Sequence, residues 1–218
     1  DAMESRGLGD VYKRQLADSN QAIQAIDAAH TALSSWKNTN PQTRFDILDN
    51  IGRIIITRQD ELGKILAREE GKTLSEAKGE AFRAGQFFQF YAAEALRRTG
   101  EQNLSTRPNI DVEIVREPIG VTVLITPWNF PIAIPAWKIA PALAHGNTVV
   151  LKPSEITPAS AYHLTKIMEE AGLPAGVFNL LVAKGEAVGE TLVSHPAVAG
   201  ISFTGSVPTG RKIAQGAI

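Results

Sequence analysis

From Gly120 onward the chain switches repeatedly between two periodicities, and that alternation restricts the fold more than any other feature. Val121-Thr122-Val123-Leu124-Ile125 is a β-branched run of strand length, bounded by Gly120 before it and Pro127 after. Strand-like runs follow at residues 148–151, 177–182 and 198–203, and helical patterns fall at 131–144, 158–171 and 186–193, with a last helix opening at Ser206. Strands that alternate with helices in this way predict a mostly parallel sheet with right-handed crossovers. The chain stops inside the last helix, so an incomplete Rossmann-like parallel-sheet domain is expected over residues 120–218.

The first half reads differently. Residues 1–15 show no sustained period and are taken as a disordered or non-native leader. From Asp18-Ser19, a capping signal, Ile23, Ile26, Ala29, Ala32 and Leu33 recur at helical spacing up to Trp36. After Asn40-Pro41, a second helix is marked by Phe45, Leu48, Ile51, Ile54 and Ile55. A third starts at Asp60 and stops at Gly71. A fourth covers residues 73–98, with Thr73 and Glu76 in capping-box spacing and Phe87, Phe88, Phe90 and Tyr91 as core. Glu69, Glu70 and Glu76 read as a solvated face. Residues 110–116 alternate apolar and charged side chains, the pattern of a half-exposed strand that can pair with another subunit. The expected organisation is therefore a helical segment at 16–100 packing on the α/β domain, with an extended arm at 101–119 between them.

Composition narrows the function. The 22 Lys and Arg against 23 Asp and Glu give a net charge of −1, which argues against nucleic acid or an anionic membrane as a partner. No apolar run reaches the roughly 20 residues of a bilayer span, and no secretory signal is visible, which points to the cytoplasm. The chain has no cysteine, so disulfides, Cys-ligated metals and thiolate catalysis by these residues are excluded. The four His, at 30, 145, 163 and 195, lack paired metal-binding spacing, and no metal site is expected.

Chemistry in an open α/β sheet gathers at the carboxyl ends of the strands. Asn129 lies in such a strand-to-helix turn, Thr126-Pro127-Trp128-Asn129-Phe130-Pro131, with Pro131 suited to the first turn of the helix. Its carboxamide could aim N–H donors at a charge forming on a substrate oxygen; the plainer reading is a helix cap. Lys152-Pro153-Ser154-Glu155 follows the next strand. A carboxylate there can accept both ribose hydroxyls and repel a 2′-phosphate, or it can form a surface ion pair worth about 1 kcal/mol or less. Thr204-Gly205-Ser206 opens the last helix, where glycine lets a phosphate approach and the helix end supplies donors; an ordinary Ser cap is the alternative. Gly185 and Gly189 form only a weak G-x-x-x-G, and the G-x-G-x-x-G fingerprint is absent. Lys138 stands alone among Ile134, Ala136, Trp137, Ile139 and Ala140, and both a proton relay and a snorkelling lysine fit it.

Three ordered motifs, TPWNFPIAIPAWKIAPALAHGNTVVLKPSE, EEAGLPAGVFNLL and SFTGS, resemble the aldehyde dehydrogenase superfamily, and the resemblance runs from about Asp18 to Ile218. It implies that Asn129 is the oxyanion-stabilising asparagine and Lys138 the lysine given a charge-relay role in some members. Lys152 and Glu155 match the adenosine-ribose contacts and Ser206 the pyrophosphate contact. Ile125, Thr126, Pro127, Trp128, Ser154, Gly185, Gly189, Phe203, Thr204, Gly205 and Thr209 match positions around the same cofactor, NAD by preference with NADP as the alternative. The segment 131–138 looks most like 2-oxoglutarate-semialdehyde dehydrogenases, whereas relatives acting on succinate semialdehyde often place an arginine where Trp137 stands. A homo-oligomer, dimer or tetramer, is expected of the full-length protein, with a small aldehyde as its substrate.

The departure from the family is as informative as the match. Members use a cysteine thiolate as nucleophile and a glutamate that activates water, and by the resemblance both fall beyond Ile218. This chain on its own is thus expected to be silent. Two other classes fit the residues, a nucleotide-binding module without catalysis and an assembly element built on the strand near 110–116. An acyl-phosphate reductase would share thiolate chemistry but lack the Trp128-Asn129-Phe130-Pro131 run.

Overall fold

The computed structural model describes residues 16–97 and 100–217. The leader at 1–15 and the expected end of the fourth helix at Arg98 lie outside the described residues. Helix α1 (Ser19–Trp36) begins as its sequence dictates. The Asp18 side chain accepts the Gln21 N–H at 2.9 Å, and the Gln21 side chain accepts the Asp18 N–H in return. Helix α2 (Pro41–Thr57) is capped by Asn40, with Pro41 at its first position. Helix α3 (Gln59–Glu70) ends on Gly71, whose φ of 90° supplies the left-handed turn. Helix α4 (Leu74–Leu96) opens with the Thr73–Glu76 capping box.

Next comes a two-stranded antiparallel ribbon, β1 (Glu101–Leu104) with β2 (Asp111–Ile114), in the register Glu101↔Ile114 and Leu104↔Asp111. Here the structure corrects the sequence reading. The strand expected over 110–116 is shorter, while its apolar side chains are half-exposed as read, Val112 at 39% and Ile114 at 48%. Its partner strand, Glu-Gln-Asn-Leu, has too little β-propensity to be read from sequence.

The main sheet has four parallel strands in the order β5-β4-β3-β6. They are β3 (Val121–Ile125), β4 (Thr148–Lys152), β5 (Phe178–Leu180) and β6 (Val198–Phe203), joined by α5 (Ala133–Ala144), α6 (Pro158–Glu170) and α7 (Gly185–Ser194), with α8 (Val207–Gly216) after β6. The chain builds outward from β3 through β4 to β5, then returns to place β6 on the other side of β3. That reversal makes the carboxyl end of β3 a topological switch point.

Alternation along the strands sorts the core into two layers. Leu124, Val149 and Leu151 face α5, α6 and the α2–α4 helices behind them, while Val121, Val123 and Val150 face α1 and α7. Gly176, at φ 80°, lets α1 come close, since a Cβ there would sit 2.9 Å from the Ala28 carbonyl oxygen and 3.0 Å from the Ala32 Cβ.

Three further expectations are corrected. Pro131 lies two residues before α5 rather than in its first turn, because the helix begins where Ile132 and Ala133 deliver their N–H groups to the Glu80 carboxylate. Of the four aromatics on α4, Phe88 is fully buried and Phe87 and Tyr91 pack against the core, but Phe90 is 57% exposed and sits edge-on to Tyr91. Glu69 is not on a solvated face. Only 6% exposed, its carboxylate takes the Ala159 N–H, the Ser160 N–H at 3.0 Å and the Ser160 hydroxyl at 2.7 Å. It thereby satisfies the free amides of the first turn of α6, where Thr157 makes no side-chain cap.

Removing that carboxylate strands buried donors. Glu69→Ala is expected to destabilise the fold by about 3 kcal/mol, read as a shift of the urea midpoint. Arg53→Ala, which breaks the exposed i,i+4 pair with Asp49, is expected to cost about 0.5 kcal/mol or less.

Candidate functional site

Register decides which loops meet. Ile125, the last residue of β3, stands opposite Lys152 on one side and Phe203 on the other. Main-chain bonds extend the ladder one step past the strand ends, with the Thr126 N–H reaching the Lys152 carbonyl at 3.2 Å and the Thr204 N–H reaching the Ile125 carbonyl at 3.0 Å. The three sequence motifs are thus drawn to one edge of the sheet. From it lead the Pro127-Trp128-Asn129 turn, the Pro153-Ser154-Glu155 turn and the Gly205-Ser206 helix start. Leu181 joins the same edge by donating to the Leu151 carbonyl at 2.8 Å, which puts Gly185 just beyond it and Gly189 one turn further along α7.

The side chains at this edge are disposed as follows. Asn129 and Trp128 are exposed, and the Asn129 carboxamide makes no hydrogen bond among the described residues. It does not cap α5. Lys152 is 6% exposed; its ammonium donates to the Pro153 carbonyl at 3.0 Å and lies 3.6 Å from the half-exposed Glu155 carboxylate. Burial holds its pKa below the usual lysine range, and Glu155 pulls it partly back up. The Ser154 hydroxyl accepts the Ile156 N–H at 3.3 Å, tightening the turn that presents Glu155. Ser206 caps α8, taking the Thr209 N–H at 3.4 Å and lying 2.9 Å from the Thr209 hydroxyl. Gly205 is required here, since a Cβ would fall 2.6 Å from the Phe203 ring.

This edge suits a dinucleotide on several counts. Among the described residues the Thr126 hydroxyl is buried without a partner, space is open around Gly185 and Gly189, and the first residues of α8, just past the end of β6, are exposed. Lys138 is elsewhere. It lies in the second turn of α5, and its ammonium donates to the Ser202 hydroxyl at 2.6 Å. Both residues help line a cavity of about 540 Å³ between α5 and β6, with Thr122, Asn147 and Trp137. The cavity lies on the face of the sheet, not at its carboxyl edge.

Two residues escaped the sequence reading. Lys72 donates to the Asn129 carbonyl at 3.1 Å, and its ammonium sits 4.3 Å from the Phe130 ring centroid. Glu80 takes the Ile132 N–H at 3.0 Å and the Ala133 N–H at 3.1 Å, and also pairs with Lys72. The signal for Glu80 was present: with Ala77, Ala81, Ala84 and Phe88 it lies on the buried stripe of α4, where a carboxylate is out of place unless bound.

A parallel sheet with a switch point, and with three turns gathered at its carboxyl edge, is the architecture of a nucleotide-binding α/β protein. The chain belongs to the aldehyde dehydrogenase family, whose profile matches residues 9–218. It is 43% identical over 199 residues to the alpha-ketoglutarate semialdehyde dehydrogenase of Haloferax volcanii, covering 91% of this chain and 41% of that one. Among solved structures it resembles an NADP-dependent enzyme of Escherichia coli, with a TM-score of 0.91 and 40% identity over 93% of this chain and 42% of the other. The betaine aldehyde dehydrogenase of Staphylococcus aureus in complex with NAD+ also gives a TM-score of 0.91, at 36% identity over 93% of this chain and 41% of that one. The chain therefore spans about two fifths of the length of these relatives.

Burial lowers the Lys138 pKa below the ordinary lysine value of 10.5. Below the lowered pKa the folded protein carries a poorly solvated ammonium; between that pKa and 10.5 the unfolded chain binds more protons, so stability rises with pH. Lys138→Met is expected to remove this rise. Paired urea titrations at rising alkaline pH, up to the ordinary lysine value of 10.5, should show wild type gaining on the variant.

Proposed function

We propose that this chain forms the cofactor-binding and oxyanion-stabilising part of an aldehyde dehydrogenase that oxidises a semialdehyde to a carboxylic acid. The observation that supports it most is the meeting of Asn129, Glu155 and Ser206 at the carboxyl end of β3, through the pairing of Ile125 with Lys152 and Phe203. In this reading the adenosine ribose hydroxyls bind Glu155, with Lys152 behind it. The pyrophosphate meets the N-terminus of α8, where Ser206 accepts the Thr209 N–H and the Ser206 and Thr209 hydroxyls lie 2.9 Å apart, so that one of the pair has a proton to donate. Ile125, Thr126, Pro127, Trp128, Ser154, Gly185, Gly189, Phe203, Thr204 and Gly205 wall the groove.

When bound, the nicotinamide supplies a hydride acceptor. The free N–H donors of Asn129 then point at the aldehyde oxygen as it gains negative charge, a contribution of about 2.7–4 kcal/mol when one such donor is removed. The attacking thiolate is not among these 218 residues, which contain no cysteine. Lys138 acts as a relay only through the cavity it shares with Ser202, away from the groove.

For substrate we favour 2-oxoglutarate semialdehyde, which rests on segment 131–138 and on the named activity of the Haloferax volcanii relative. Trp137, 42% exposed and edge-on to Phe87, occupies a position where an arginine would grip a shorter dicarboxylic semialdehyde. The β1–β2 ribbon, with Leu104 95% and Ile114 48% exposed, offers an edge for a second copy in a dimer or tetramer.

The 218-residue chain alone is expected to yield no NADH from any aldehyde, and measurable formation of it would remove the thiolate mechanism. Calorimetric titration should show NAD+ binding more tightly than NADP+, with Glu155→Gln narrowing the gap by relieving repulsion of the 2′-phosphate. Equal affinities in the unmodified chain would count against the role given to Glu155.

A further inference from the structure

The turn that presents Asn129 does little to hold itself. Pro127 and Pro131 have no N–H to donate, and among the described residues the N–H groups of Trp128, Asn129 and Phe130 make no main-chain hydrogen bond. The first local main-chain bond comes at its end, from Ile134 to the Phe130 carbonyl at 3.0 Å. What fixes the turn arrives from the α3–α4 hairpin. The Lys72 ammonium takes the Asn129 carbonyl and covers the Phe130 ring, and the Glu80 carboxylate takes the two following free amides, Ile132 and Ala133. Lys72 and Glu80 are themselves paired, with Glu70 2.8 Å from the same ammonium. Side-chain exposures of 11% for Lys72 and 2% for Glu80 shield these contacts from water.

We propose that Lys72 and Glu80 are positioning residues for the oxyanion step: the pair locks the Asn129 peptide against the start of α5, and so aims the Asn129 carboxamide, without touching substrate or cofactor. The inference rests on the reading of Asn129 as the oxyanion donor. The geometry gives each partner a separate task. Glu80 fixes where α5 begins, through two amides, and Lys72 fixes the rotation of the one peptide whose side chain does the work. Because a displacement of about 1 Å at a reacting group can cost 10²-fold in rate, a contact on the backbone of the catalytic residue is felt in the turnover number rather than in substrate affinity.

A double-mutant cycle in the complete enzyme that carries this chain tests it. Lys72→Met should lower kcat by about 10- to 100-fold while KM and the NAD+ dissociation constant stay near wild type, with a fall in melting temperature from the unpaired Glu70 and Glu80 carboxylates, and Lys72→Arg should restore most of the rate. In an Asn129→Ala background, adding Lys72→Met should change kcat by less than about twofold. Equal losses in both backgrounds, or no loss beside an intact Asn129, would overturn the proposal and leave the oxyanion role of Asn129 standing. If Asn129→Ala alone costs nothing, the oxyanion reading falls and the positioning role falls with it. Glu80→Gln, which keeps an acceptor for both amides, provides a second variant should Lys72→Met fold poorly. It should lower kcat while leaving KM unchanged, and a rise in KM with kcat intact would count against the pair.

Discussion

The pairing of β3 with a parallel neighbour on each side is the constraint on which the site depends. Side chains in a strand alternate with period two, so a one-residue slip of β4 or β6 would turn Lys152 or Phe203 to the wrong face and move its following loop by a residue. Two buried layers resist that slip, with Leu124, Val149 and Leu151 on one face and Val121, Val123 and Val150 on the other. The hydrophobic pattern that selects the fold thus also sets which three loops share the crevice. Apolar packing fixes the register, the register fixes Ile125 between Lys152 and Phe203, and the polar groups that follow inherit their arrangement.

Much of this was legible because the signals are local. Asp18 with Gln21 and Thr73 with Glu76 announce their helices within one turn, Gly71 ends one through its left-handed backbone, and the β-branched runs at 121–125 and 198–203 coincide with β3 and β6. The motif turns fall at strand ends for the same reason. What escaped reading is non-local. Glu69 binds residues ninety positions later, and nothing near it in sequence distinguishes a solvated glutamate from one that caps a distant helix; Glu80 binds Ile132, and its place on the apolar stripe of α4 marks it as bound without naming the partner. The aromatic run on α4 misled in the opposite sense, since Phe90 has the right composition for core but the wrong azimuth.

Asn129, Lys138 and Ser206 show how far single residues could be weighed. For Asn129 the choice lay between a cap and a donor, and its carboxamide is exposed and unspent while Glu80 does the capping. Ser206 is a cap, yet of the Ser206 and Thr209 hydroxyls only one donates to the other, which leaves one proton at the helix start to give, so the two readings coexist. Lys138 has a partner in Ser202 and a cavity of its own, which separates it from the groove that its neighbours in sequence help to build.

The two carboxylates that close helix N-termini, Glu69 on α6 and Glu80 on α5, both issue from the α3–α4 hairpin. Helices that cover a parallel sheet could in principle peel away one at a time. Here the opening amides of both crossover helices are tethered to the same pair of neighbours, so local fraying of either is tied to a larger loss. The helical layer and the sheet it shields should therefore open as one cooperative unit, with slow amide exchange at the starts of α5 and α6 tracking the hairpin rather than the strands.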